Sequence, residues 1–266
     1  MAPADAGVTH PHLFVRGRDG GADRAEPVDP TRWRYRTAVV TQIIGIDELR
    51  SMTSPLPVVV VVDVMRAFTT AAVVLAGGAD TVVLAASRAE ALELRQRHAG
   101  AIAVKDGASD PDFDGVNSPV LMGQSDVAGR AVVLCTTNGT VGATAAKSAP
   151  GLVLASFVVA GATARYLRRI GSGVTFVATG AQGHAQEDVS CAEFIGELLH
   201  GRDVDPAPYL QRAATSAAAA DLAQAARQGY PGVHPADVEL CLDLDRFSFA
   251  MVATVVNQDL VVRAVR

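Results

Sequence analysis

The sequence predicts an α/β protein with three layers, in which helices cover both faces of a largely parallel or mixed central sheet. Val58–Val62, five consecutive valines, are typical of a strand that is buried on both faces. From Arg36 onwards, short apolar runs alternate with helical stretches, which is the order expected of strand–helix units. The composition agrees, because 49% of the residues are hydrophobic and only 5% are aromatic.

The individual elements follow from apolar runs, capping residues and helix breakers along the chain. Gly77 and Gly78 end the predicted helix Ala67–Ala76, and Ser87 is expected to cap a helix that runs to about His98. The predicted strands are Ala38–Ile44, Val58–Val62, Thr81–Ala85, Ala101–Val104, Ala131–Cys135, Leu152–Phe157, Val174–Thr179 and, as one final strand, Val255–Val265. The other predicted helices are a short turn at Ile46–Met52, a small-residue helix from Thr140 to about Ser148, Ala160–Ile170, Glu187–His200, Pro206–Gln228 and Pro235–Leu242.

Charge and composition argue against several classes of function. The formal net charge is −5 and no long basic run is present, so no nucleic-acid partner is expected. No apolar run approaches the ~20 residues of a membrane span, so no membrane partner is expected either. The three cysteines lie far apart and are expected to be buried free thiols of a cytoplasmic protein.

The length of 266 residues suits one large α/β domain. Residues 1–35 are expected to form a disordered or loosely packed extension, because they are rich in Pro, Gly, Asp and Arg. Residues 36–266 are expected to form a single α/β domain. A homodimer is left open.

Three predicted strands end in polar loops that each open a helix. These loops are Asp63–Thr70, Thr136–Thr140 and Thr179–Asp188. In a parallel sheet the carboxyl ends of the strands share one edge, which is where open α/β sheets bind ligands. The long loop Asp106–Asp126 contains Phe113–Pro119 and could fold over the same edge, since long loops in compact domains are often functional.

The loop Thr136-Thr137-Asn138-Gly139-Thr140 is the clearest candidate for binding an anion. A helix N-terminus presents free backbone N–H groups and a positive dipole end, and a glycine allows close approach of a phosphate. Ordinary capping of a helix by Thr or Asn explains the same residues equally well. Asn117 and Ser118 could likewise donate hydrogen bonds to a phosphate, or could form a turn before Pro119.

Charged residues beside these loops suggest a metal and substrate site. Asp63 could be a metal ligand, a nucleophile or a structural carboxylate, but Met65 occupies the place where aspartyl-phosphate enzymes have a second acid. A hard cation needs several oxygen ligands, which Asp63, Glu187 and Asp188 could supply. The alternative for Glu187 and Asp188 is a favourable position in the first turn of a helix. Arg66 could clamp an anionic substrate, or form a local salt bridge.

These motifs, in this order, resemble the 2-phosphosulfolactate phosphatase family over about Thr41–Phe249. The resemblance rests on Asp63–Thr70, Phe113–Pro119, Thr136–Thr140 and Glu187-Asp188. It implies a Mg²⁺-dependent phosphomonoesterase of coenzyme M biosynthesis that cleaves 2-phospho-3-sulfolactate, a small anionic phosphorylated substrate.

The resemblance also implies roles for individual residues. Asp63, Arg66 and Glu187 would be catalytic, and Asp63, Glu187 and Asp188 would bind the metal. The substrate-binding set would be Asn117, Ser118, Thr136, Thr137, Asn138, Gly139 and Thr140.

Some positions depart from the family pattern. Val141 stands where the family has an arginine, and Ala103-Val104-Lys105 stands where it has Gly-Glu-Arg, with Lys105 and Asp106 as candidate shifted substitutes. These departures leave open a second function, that of a non-catalytic protein that binds small anions on the same fold.

Overall fold

The computed structural model describes residues 41–171 and 173–266, and within these ranges it contains ten strands and ten α-helices. The strands are Thr41–Ile44 (β1), Val58–Val62 (β2), Thr81–Ala85 (β3), Ile102–Lys105 (β4), Gly115–Val116 (β5), Ala131–Cys135 (β6), Gly151–Ala155 (β7), Val174–Ala178 (β8), Ala250–Val256 (β9) and Asp259–Val265 (β10). The helices are Ile46–Ser51 (α1), Ala67–Ala76 (α2), Arg88–Arg97 (α3), Pro119–Met122 (α4), Gly139–Ala145 (α5), Ala160–Ile170 (α6), Gln186–Leu199 (α7), Ala207–Ala214 (α8), Ala217–Arg227 (α9) and Asp237–Cys241 (α10). The predicted α/β fold class is confirmed.

The valine run of β2 shows why the sheet is covered on both faces. Its five residues are all buried, and alternate side chains enter two different clusters. Val59 and Val61 pack in a cluster that also contains residues of α2 and α5, whereas Val60 packs with residues of α6, α7 and α8. Because successive side chains of a strand point to opposite faces, β2 lies in the middle layer of three.

The sheet is mixed rather than parallel throughout. Its order is β1-β8-β2-β7-β9-β10-β3-β6-β4-β5. The first four strands form one parallel block and the last four form another. The antiparallel hairpin β9–β10 lies between them, so the two blocks run in opposite directions. The expectation that parallel strands bring all the polar loops to one edge is therefore wrong for the loops after β2 and β6.

The loops after β2 and β6 nevertheless meet. Adjacent strands rotate by ~20–25° relative to each other, and β2 and β6 are five steps apart in the sheet. The accumulated twist is then more than ~100°, so two nominally opposed strands no longer point directly away from each other. A Cβ atom built on Gly139, after β6, would lie 2.6 Å from Asp63 Oδ2, after β2.

Other differences from the sequence prediction concern the ends and loops. The single strand predicted at Val255–Val265 is wrong: the chain reverses at Asn257 and Gln258, which have φ values of 50° and 74°, and forms the β9–β10 hairpin. The helix predicted over Pro206–Gln228 is two helices, because Ser216 caps a new one at Ala217. The long loop after β4 contains β5 and α4.

Among the remaining predictions, one is confirmed and two concern residues outside the described ranges. The three cysteines are free and buried, as expected. The proposed extension over residues 1–35 and the start of the first predicted strand, residues 38–40, lie outside the described ranges. None of the helices in the described ranges has both the length and the apolar character that a membrane span needs.

Candidate active site

Asp63 stands at the centre of the candidate site, directly after the buried strand β2. Its carboxylate is almost fully buried; Oδ1 accepts a hydrogen bond from the N–H of Ala67 at 2.9 Å, and Oδ2 lies 3.3 Å from the Thr179 hydroxyl. Burial raises the pKa of Asp63 to about 7; the charges of Asp106 and Glu187 also raise it, and the two hydrogen bonds oppose the rise. Asp63 can therefore exchange a proton near neutral pH.

Asp188, in the first turn of α7, links the ends of β2 and β8. Its Oδ1 accepts from the N–H of Val64 at 2.9 Å, and its Oδ2 accepts from the N–H groups of Thr179 and Gly180 at 3.2 and 3.0 Å. Burial, followed by the charge of Asp63, raises the pKa of Asp188 well above its usual range. Since backbone amides occupy both oxygens, the clearest role of Asp188 in this structure is to fix the two loops.

Glu187 is buried beside Asp188 but is bonded differently. Its carboxylate accepts no hydrogen bond from any residue in 41–171 or 173–266, although only 5% of the residue is exposed. Gly180 lies close by: a Cβ there would clash with the Cβ of Ala185 at 2.7 Å and would meet Glu187 Oε1 at an ordinary contact distance of 3.7 Å. A buried carboxylate without a donor is costly unless a cation or a proton compensates it.

Asp106 is a fourth carboxylate of the site, and it was absent from the predicted catalytic and metal-binding residues. It follows β4, and its Oδ2 accepts from the N–H of Thr137 at 2.8 Å while its Oδ1 accepts from the Asn117 side chain at 2.7 Å. Its negative charge raises the pKa of Asp63. The sequence did contain one indication of Asp106: it lies beside Lys105, where it could replace, at a shifted position, the acid of the family pattern. Val104 itself is fully buried in the core.

The loop Thr136–Thr140 forms a tight turn at the start of α5. Thr136 and Thr140 use their hydroxyls within the turn, because each accepts from the backbone N–H of the other at 3.0–3.1 Å. Thr137 and Asn138 are exposed. The N–H groups of Asn138 and Gly139 have no hydrogen-bond partner in the described part of the chain. These two N–H groups are free to bind an anion.

Gly139 allows this turn to approach Asp63. A Cβ at position 139 would lie 2.6 Å from Asp63 Oδ2 and 2.7 Å from the Cβ of Ala67, both closer than real Cβ contacts. Only a residue without a side chain fits between these atoms. The carboxylate and the free N–H groups are therefore held next to each other by direct packing.

Arg66 has a different partner from the one expected. Its Nη1 donates to Asp237 Oδ2 at 2.7 Å and to the carbonyl of Gly232 at 2.9 Å, and both side chains of the pair are buried. Asp237 also accepts from the Ser118 hydroxyl at 2.6 Å, and Ser118 caps α4. Arg66 and Ser118 thus take part in a structural network, while Nε and Nη2 of Arg66 have no hydrogen-bond partner among the described residues.

Asn117 differs from its neighbour Ser118 because it reaches the carboxylate cluster. Its Nδ2 donates to Asp106, and its Oδ1 is buried without a partner in the described ranges. The structure therefore brings together Asp63, Glu187, Asp188, Asn117 and the turn around Gly139. It places Ser118 and the Nη1 of Arg66 in the network of Asp237.

Matches to known proteins show the family. The family model described as 2-phosphosulpholactate phosphatase matches residues 46–255, which is most of the chain. The chain belongs to the 2-phosphosulfolactate phosphatase family. This family of phosphoric monoester hydrolases is the one indicated by the motifs that now form the walls of the site.

Relatives in the family come from distant organisms. A protein of Deinococcus radiodurans named probable 2-phosphosulfolactate phosphatase is 39% identical over 147 residues, which are 53% of this chain and 61% of that protein. A Thermus thermophilus protein of the same name is 39% identical over 145 residues, 53% of this chain and 61% of that protein. The Thermoplasma acidophilum relative, again of that name, is 28% identical over 205 residues, 76% of this chain and 89% of its own length.

Proposed function

We propose that this protein is a Mg²⁺-dependent phosphatase that hydrolyses a small anionic 2-phospho-hydroxy acid of the 2-phosphosulfolactate type. Membership of the family supports the reaction class. The observation that carries the proposal is the packing of Gly139 against Asp63, which places free backbone N–H groups beside a cluster of buried carboxylates. A phosphate ester and a cation would be bound side by side in such a site.

The donor set fits a divalent cation. Mg²⁺ prefers oxygen ligands and is usually held by one or two carboxylates, water and substrate phosphate. In the described ranges no three His, Cys, Asp or Glu side chains form a ready metal site. However, the unbonded carboxylate of Glu187 and the raised pKa of Asp63 indicate negative charge that lacks compensation. We propose Asp63 and Glu187 as the direct ligands and Asp188 as a ligand or their support.

Individual groups of the chain would have different roles in catalysis. The N–H groups of Asn138 and Gly139 would bind phosphate oxygens, as helix N-termini commonly do. Asp63 Oδ2 faces this turn, so this carboxylate would hold the cation next to the bound phosphate. When bound, Mg²⁺ would polarise the phosphoryl group and neutralise its charge.

A further wall of the site would bind the acidic tail of the substrate. Lys105 Nζ and the Tyr230 hydroxyl would lie 3.9 and 3.5 Å from a Cβ on Gly107, the residue after Asp106. They supply a positive charge and a hydrogen-bond donor close to the cluster. The free Nε and Nη2 of Arg66 add a second candidate cation for a carboxylate or sulfonate. A substrate with several anionic groups, as in coenzyme M biosynthesis, suits this wall.

The decisive experiment measures phosphate release by Asp63→Asn. The amide keeps the shape of the side chain but removes its charge and its proton exchange, so we expect a loss of about 10²–10⁴-fold in kcat/KM. Asp243→Asn, at an exposed salt bridge with Arg246, is the matched control and should retain activity. Assays would use 2-phosphosulfolactate and a panel of other phosphate esters, with Mg²⁺ and with EDTA. Full activity of Asp63→Asn, or of the wild type in EDTA, would contradict the proposal.

A non-catalytic protein that binds small anions is the second candidate. The observations that favour it are Val104, which is buried in the core, and Val141, which offers no charge next to the phosphate turn. This candidate predicts no turnover of any ester in the panel, together with thermal stabilisation by inorganic phosphate. Measurable turnover by the wild type that is lost in Asp63→Asn would exclude it.

A further inference from the structure

A cavity of about 410 Å³ lies at the surface between α6 and the end of β10. Ala162 and Val265 provide apolar surface, Ser248 adds a hydroxyl, and four arginines line the rest. The arginines are Arg165, Arg168, Arg169 and Arg266. The volume falls in the ~300–1,000 Å³ range of small-molecule pockets. None of the residues of the candidate active site lines this cavity.

None of the four arginines has a carboxylate partner in residues 41–171 or 173–266, although Arg169 lies over the ring of Tyr166 at 5.8 Å. Most other arginines in the same ranges are paired with an Asp or Glu, as the buried pair of Arg66 and Asp237 and the surface pair of Arg88 and Asp110 illustrate. The chain has a net charge of −5, so acidic partners are plentiful. Four arginines without a carboxylate partner at one cavity are therefore a local departure from the general pattern.

Helix geometry explains only part of this cluster. Arg168 and Arg169 are in the last turn of α6, where cations interact favourably with the helix dipole. Arg165 lies one turn earlier, and Arg266 follows a strand on another part of the chain. Guanidinium groups stay charged at any physiological pH, and because these four are exposed, water and salt screen them while a bound anion would supply a counter-charge. Guanidinium groups also suit bidentate binding of phosphate.

We propose that this cavity is a second anion site, which binds a small molecule carrying at least two phosphate groups. A single phosphate can be contacted by one or two guanidinium groups, whereas four around one cavity suit a chain of phosphates or two separated ones. The hydroxyl of Ser248 supplies a neutral donor, and the apolar surface of Ala162 and Val265 accepts a short carbon skeleton. The proposal is independent of the phosphatase assignment.

The test measures binding of inorganic triphosphate by titration calorimetry at pH 8 and constant ionic strength, without Mg²⁺. Under these conditions the carboxylate cluster repels the probe, so the arginine cavity is the expected place of binding. We expect one triphosphate per chain and much weaker binding of orthophosphate. The double variant Arg165→Gln/Arg168→Gln should raise Kd about tenfold or more, since a hydrogen bond between charged groups is typically equivalent to about tenfold in Kd.

The matched control is Arg227→Gln/Arg263→Gln, which removes the same charge from two exposed arginines outside the cavity. The control should bind triphosphate as the wild type does. Equal weakening in both double variants would show a general electrostatic effect and overturn the site, as would unchanged binding in both or no binding by the wild type. The melting temperature of each variant without ligand shows whether it is folded. If the double variant Arg165→Gln/Arg168→Gln is not folded, Arg168→Gln alone replaces it, with Arg263→Gln alone as the control and the same criteria.

Discussion

Two groups of buried charges include residues that lie close together in the loop after β2, Arg66 in one group and Asp63 in the other. The two groups differ in whether the chain itself compensates their charge. Arg66 and Asp237 form a pair of opposite charges, and Asp237 also accepts hydrogen bonds from the Ser118 hydroxyl and from the N–H groups of Val120 and His234. Asp63, by contrast, is buried beside further carboxylates, and both Asp63 and Asp188 have a raised pKa. The first group balances its charges within the chain, and the second does not.

This difference separates structural from functional charge. A buried pair of opposite charges holds loops together and needs no cation or proton from outside to balance its charge. A buried cluster of like charges costs folding energy that only a proton, a cation or a ligand can offset, and such clusters are typical of functional sites. Three changes test whether the two groups differ as this comparison requires.

The largest expected effect is on stability, from Asp237→Ala. The change leaves the guanidinium of Arg66 buried without its counter-charge and removes the acceptor of Ser118. We expect the free energy of unfolding to fall by about 3–5 kcal/mol, measured by urea denaturation. Asp243→Ala breaks an exposed pair with Arg246 and should cost less than about 1 kcal/mol. Similar small losses in both variants would show that the Arg66 network is not structural.

An intermediate effect, on activity, is expected from Gly139→Ala. The added methyl group would lie 2.6 Å from Asp63 Oδ2, so the turn and the carboxylate must separate. We expect kcat/KM for the phosphate ester to fall about 10²-fold, because small displacements of reacting groups are costly. Gly196→Ala is the matched control, since its nearest neighbour would be Phe176 at 3.9 Å. Unchanged turnover in Gly139→Ala would mean that this contact does not position the site.

The third effect concerns pH, and per pH unit it is the smallest of the three. The pKa of Asp63 is raised from 3.8 to about 7 in the folded protein, so folding favours the protonated carboxyl group. In EDTA, the Asp63 carboxyl group does not reduce the free energy of unfolding below pH 4. As the pH rises from 4 to 7, this group lowers the free energy of unfolding progressively, by at most about 1.4 kcal/mol per pH unit. The difference in unfolding free energy between wild type and Asp63→Asn should change accordingly. If that difference stays constant from pH 4 to 8, the raised pKa is wrong.

Much of the fold could be predicted from local patterns. Val58–Val62, Thr81–Ala85 and Ala131–Cys135 lie where the apolar runs placed them, because each run is short, buried and bounded by polar or glycine residues. The β9–β10 hairpin was missed for a physical reason. Its turn residues Asn257 and Gln258 adopt positive φ without a glycine, so the usual turn signal was absent. The opposed directions of the two blocks follow from that hairpin and were missed with it.

The candidate site was predictable in its parts but not in its pairings. Asp63, Glu187 and the Thr136–Thr140 turn follow strands or open helices, which is visible in the sequence. The partner of Arg66 is 171 residues away, and no local pattern could choose Asp237 among the acids of the chain. Asp106 was weighed only as a shifted substitute, because its role depends on the approach of β4 to Thr137.

The β9–β10 hairpin has a consequence for how this chain comes into being on the ribosome. Both parallel blocks are synthesised before residues 250–265, yet β7 and β3 each find one of their two neighbours only in that last segment. Until it emerges, each block of the nascent chain has an open, apolar edge of the kind that invites pairing with other chains. The two blocks therefore remain separate sheets until this hairpin pairs with β7 and β3 and joins them into one.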